Sequence, residues 1–163
     1  MTEGPPRDAR EAPAGARRPL RRWDAPAARA VRVGAWLFLA AIGIQVFLAG
    51  MGVFSGPLWW ARHRAFVHAF EWTAPLLLIL AFSRALPRRA RVLALLLNVL
   101  LFAQYATVGS LPVLLHSRAV SALHPVGALL LFWTALSLAK VPATPGPGER
   151  RPTRRDPRSA PGA

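Results

Sequence analysis

The sequence predicts an all-α membrane protein, a four-transmembrane-helix, up-and-down bundle with both termini cytoplasmic. Three observations lead there. Of 163 residues, 53% are hydrophobic and only 17% charged, a poor match to a soluble domain. The charge is gathered into a few segments. Between them lie four nearly charge-free stretches, each close to the roughly 20 residues that a helix needs to cross a ~30 Å hydrocarbon core. A run such as 93–103, apolar but for Asn98, gives water no polar face, so a soluble bundle is the poorer reading.

In chain order, residues 1–32 are rich in Pro, Ala, Gly and Arg without an apolar period, and are expected to form a disordered basic tail. This leader is too long for a signal peptide and the apolar run after it exceeds a signal core, so the first span, 33–53, is expected to be retained. Within it Ala41, Ala49, Gly50 and Gly52 would let neighbouring helices approach closely. A short loop with Gly56 and Pro57 leads to the second span, 65–85, which carries His68, Glu71 and Pro75. The third span, 92–108, holds Asn98 and Gln104. Counting places Gln45 and Gln104 about 18 to 20 Å from their basic ends, positioned to hydrogen-bond across helices one and three. The fourth span, 119–140, holds His124 and Pro125. Pro125 is expected to kink the helix, freeing the Ser121 carbonyl and aiming His124 inward. Residues 141–163 read as a second disordered basic tail, which leaves 33–140 as the transmembrane domain.

Orientation follows from the basic residues, which are retained on the cytoplasmic side of short loops. Eight lie in the first tail, four between spans two and three (Arg84, Arg88, Arg89, Arg91) and six from Lys140 onward, against Arg62, Arg64 and Arg118 on the other side. Trp36 then sits near the inner interface, with Trp59, Trp60 and Tyr105 near the outer one. The +14 net charge is mostly that of the tails. The arginines at 150, 151, 154, 155 and 158 have no interleaved aromatics for stacking on bases, so the expected partner is anionic lipid at the cytoplasmic face rather than nucleic acid.

With no cysteine, disulfides, thiolate metal sites and covalent haem are excluded. There is no catalytic triad, phosphate loop or paired carboxylate, and no basis for an enzyme. What remains is four histidines, all in the outer half. Depth counting sets His68 about 26 Å and His124 about 24 Å above the basic ends, level with each other, while His63 and His116 lie at the headgroup boundary.

Two imidazoles on different helices can ligate a b-type haem from both faces. Glu71, three residues after His68 on the same face, is placed to hold its other nitrogen. Arg64 could hold a propionate or Glu71 itself, and Phe66, Phe70, Trp72, Phe132 and Trp133 could wall the ring. A bare metal ion is less favoured, because His63 and His68 are five residues apart rather than the chelating four. Equally open is that the histidines are plain interfacial residues.

The segments 45-QVFLAGMGVF-54, 63-HRAFVH-68 and 121-SALHPVGALLLF-132 together resemble a family of small bacterial four-span membrane proteins classed as a domain of unknown function. The likeness runs over residues 33–140 and implies a bacterial plasma-membrane location. It points to His63 with His124, whereas the depth count points to His68 with His124. In Val67 and Gly127 the chain departs from the Gly and Asn of that pattern. In architecture the bundle also resembles a reduced b561-type haem protein, with histidines toward one face only. The leading expectation is one haem b near the outer face, passing electrons to a membrane redox partner. The alternative is a structural or accessory subunit, which could be a homo-oligomer, and the third is an ion or solute carrier.

Overall fold

The computed structural model describes residues 22–143. The disorder expected at 1–21 and 144–163 therefore lies outside the described residues. The helices are α1 (Asp24–Ser55), α2 (Pro57–Phe70), α3 (Thr73–Ala81), α4 (Arg88–Val108), α5 (Ser110–Leu114) and, after a 3₁₀ turn at Arg118–Ala122, α6 (Leu123–Ala139). Four helical stretches are long and apolar enough to cross a membrane: Asp24–Ser55, Pro57–Ala81, Arg88–Val108 and Arg118–Ala139. We call the end of the bundle at Asp24, Ser83, Arg88 and Lys140 the base, and the opposite end the top.

α1 starts inside the segment expected to be tail. Its first residue, Asp24, is fully buried because the base loop caps itself on it. The Ser83 hydroxyl contacts the Asp24 carbonyl at 3.0 Å and Oδ1 at 3.1 Å, and the Arg84 N–H donates to Oδ1 at 2.9 Å. A carboxylate in the first helical turn is also favoured by the helix dipole. The alanines that follow are strong helix formers, so the helix begins where the latch closes rather than where hydropathy rises.

The second span is not one helix. Pro75 has no N–H to give the Glu71 carbonyl; the Ala74 N–H reaches that oxygen instead, at 3.2 Å, and the chain turns at Glu71 and Trp72 between α2 and α3. Pro75 thereby falls in the first turn of α3, where a missing N–H is harmless. Pro125 follows the same rule. It sits in the first turn of α6, just after the 3₁₀ turn that opens the fourth span.

α1 packs on α2, α3 and α6, and α4 packs on α3 and α6. Toward the base these contacts are dense. Ala35, Ala74, Ala90, Ala94 and Ala135 are fully buried around Phe38, Leu77, Leu97 and Leu138. Lipid is as apolar as a leucine side chain, so helices gain from close backbone approach rather than from hiding from solvent, and alanine permits that approach. Gly34 does likewise, for a Cβ there would come within 2.8 Å of Leu77. Asn98 ties α4 to α3 by donating to the Ala74 carbonyl at 2.9 Å. At the top, by contrast, α2 buries no residue and packs chiefly on α1. Large apolar side chains such as Phe102 and Leu129 cover the exterior, more than 70% exposed, as a hydrocarbon solvent requires.

Candidate functional site

Two groups of polar side chains occupy the top half. The first lies inside the bundle. His63, on α2, sets Nδ1 3.0 Å from the Gln45 carbonyl of α1. Trp60 stands edge-on to its ring at 5.8 Å, and the indole lies over Gly52, where a Cβ would come within 2.6 Å. His124, in the first turn of α6, sets Nδ1 3.2 Å from the Gln104 carbonyl of α4 and 3.4 Å from Thr107 Oγ1. The Thr107 hydroxyl donates to that same carbonyl at 2.9 Å. With its nitrogen toward α6, the Gln104 amide donates to the His124 carbonyl at 3.0 Å, lies 3.1 Å from Nδ1, and accepts from the Ala128 N–H at 3.3 Å. A Cβ on Gly127 would run into that amide.

One device thus appears twice. In each helical hairpin a glutamine on the outgoing helix meets the Nδ1 of a histidine on the returning helix through its backbone carbonyl. A glycine admits the side chain that backs each ring, Gly52 for Trp60 and Gly127 for Gln104. Gln45 is followed by Gly50 and Gln104 by Gly109, an equal spacing. The glutamines do not bond each other, contrary to expectation: Gln104 turns to α6, and Gln45 Oε1 is buried without a partner.

The protonation of His124 has two arrangements. With the proton on Nδ1 the ring donates to the Gln104 carbonyl and Nε2 keeps its lone pair. With the proton on Nε2, Nδ1 accepts from the Gln104 amide or Thr107 instead. Only the first leaves a nitrogen able to bind a metal.

The second group lies on the outside. His68 is 64% exposed and its Nδ1 meets Glu71 Oε1 at 3.1 Å. Its ring stacks on Tyr105 of α4 at 6.4 Å, and the Tyr105 hydroxyl donates to Glu71 Oε2. Glu71 is therefore occupied by His68 and Tyr105, not by Arg64, which is exposed. His63 and His124 share one kind of setting, Nδ1 beside a helix carbonyl, and His68 lies outside it. The depth count pairs His68 with His124 because it treats span two as a straight rod, whereas the turn at Glu71 redirects α2. His116 sits in an exposed turn at φ 50°.

The expected aromatic wall is also corrected. Phe70 packs edge-on against Phe38 at 5.4 Å, and Phe66 leans on Phe70. Trp72, Phe132 and Trp133 face outward. Trp60, beside His63, was signalled in the sequence only as an interface aromatic. Gln104 was expected only as a tie to Gln45, and Thr107 escaped notice, because backbone carbonyls and hydroxyls leave no histidine-like signature. Among the described residues no three or more His, Asp or Glu side chains converge on a point where a bare metal ion could sit.

Residues 45–110 match the sequence model of a family of unknown function (DUF6220). The match covers less than half of the chain; it includes Gln45, His63 and Gln104 and ends before His124. Searches of curated proteins and of solved structures gave no match.

Proposed function

We propose that this chain is a multi-pass protein of the plasma membrane, base toward the cytoplasm, whose top half binds one haem b between His63 and His124. The observation that carries the reading is the matched setting of these two rings. They stand on separate helices, each with Nδ1 near a helix carbonyl, 3.0 Å from Gln45 and 3.2 Å from Gln104. Histidines that ligate iron through Nε2 are commonly held in this way, which fixes the tautomer and aims the ring.

The residues present fit the group on one further count. α2 buries nothing of its own and packs chiefly on α1, so its face toward α4 and α6 is only loosely packed. His63 and His124 would be the ligands, with Trp60 backing the first, and Gln104 and Thr107 holding the second. His68, Glu71 and Arg64 take no part. Haem bound by two imidazoles supplies one-electron transfer, here near the outer face and toward a membrane redox partner.

A second reading is favoured by the density of bonds around His124. With the proton on Nε2, His124 is a packing tie between α4 and α6, and the chain is an accessory subunit without a cofactor. Expression with ample haem, purification in detergent and an absorption spectrum separate the two. A Soret band with a reducible α band is expected, and its absence leaves the packing reading.

A further inference from the structure

At the base, far from the histidines, α4, α6 and the two residues after Lys140 line an open cavity of about 200 Å³, with Arg89 on the α4 side and Trp133, Leu136, Ser137 and the capping Lys140 on the α6 side. The four α6 residues recur at intervals of three and four, so they form one face of that helix. Lys140 ends the face at the base, and Trp133 lies about 10 Å deeper. Arg89 stands in the first turn of α4, which holds no acidic residue. Among the described residues neither Arg89 nor Lys140 is engaged by a carboxylate.

The cavity is therefore cationic at its mouth and apolar below, with a hydroxyl between. That sequence of chemistries follows the outline of an anionic amphiphile. We infer that the cavity binds the head and first acyl carbons of an anionic phospholipid. Arg89 and Lys140 take the phosphate, the guanidinium being suited to paired contacts with its oxygens. Ser137 donates to a head or ester oxygen. Trp133 and Leu136 lie against the acyl chain. A zwitterionic lipid offers the same phosphate but carries a tethered ammonium that two cations repel, so the site selects for net negative charge. The inference rests on the membrane setting and is independent of haem.

The test is native mass spectrometry of the full chain in detergent, supplied with phosphatidylglycerol or phosphatidylcholine. One phosphatidylglycerol per chain is expected to be retained and phosphatidylcholine to be lost. Arg89→Gln with Lys140→Gln is expected to weaken retention about tenfold or more, as two lost cationic contacts would. Arg89→Lys should keep most of it, and Arg88→Gln, one residue outside the cavity, should leave it unchanged, with circular dichroism confirming that each variant is folded. Equal retention of the two lipids, or an effect of Arg88→Gln as large as that of the double variant, overturns the inference. Inorganic phosphate alone is expected not to displace the lipid; displacement by it would reassign the cavity to a soluble anion.

Discussion

Toward the base, six alanines drawn from α1, α3, α4 and α6 have no exposed surface; toward the top, α2 has no buried residue at all, and the buried side chains at the end of α4 are Gln104 and Thr107. The base holds helices together by close approach and by a carboxylate latch. The top is held by bonds from side chains to helix carbonyls, few and directional. In lipid, where apolar burial gives helices little reason to associate, the dense half sets the stability and the sparse half is free to carry a ligand. Substitutions of the buried residues of the base should therefore unfold the protein, and those of the polar side chains of the top should change what it binds.

The largest effect is expected at the latch. Asp24→Ala removes the charged acceptor shared by the Ser83 hydroxyl and the Arg84 N–H; the hydroxyl keeps the Asp24 carbonyl but the Arg84 N–H loses its partner, and the loss of these bonds to a charged group should cost about 3 kcal/mol. The measurement is unfolding of the detergent-solubilised protein by heat or dodecyl sulfate. Next comes Ala94→Leu, which drives a larger side chain into a fully buried position and should cost about 2 kcal/mol. An unchanged midpoint in either variant would break the contrast between the halves. In the top, His124→Ala should cost only about 1 kcal/mol, since water or Thr107 can satisfy the Gln104 carbonyl, yet it should abolish any haem absorbance. The smallest effect belongs to Gly43→Ala. Nothing lies within 4 Å of a Cβ there, and the gain in helix propensity should stabilise by at most about 1 kcal/mol.

The same division marks what the sequence disclosed. The four spans were legible because lipid imposes a length and an apolar composition that any window of residues reveals. The latch was not: Asp24 reads as one more charged residue in a basic leader, and its partners are some sixty positions away. Pro75 and Pro125 were recognised as helix breakers, but whether a proline kinks a helix or starts one depends on where the preceding segment ends. Among the histidines, His124 emerged from both depth and motif, whereas the choice between His63 and His68 turned on helix rotation and on the turn at Glu71, neither of which depth counting contains. The pairing of His68 with Glu71 was local, three residues apart, and so was visible. The carbonyls that hold His63 and His124 belong to other helices and were not.

The central claim, that His63 and His124 form one ligand pair while His68 stands outside it, is tested most directly by haem titration followed at the Soret band. The native chain and the three single alanine variants would be compared. The account predicts one haem per chain for the native protein and for His68→Ala, with binding lost in His63→Ala and His124→Ala. Loss in His68→Ala with retention in His63→Ala, or no saturable band in the native chain, would contradict it.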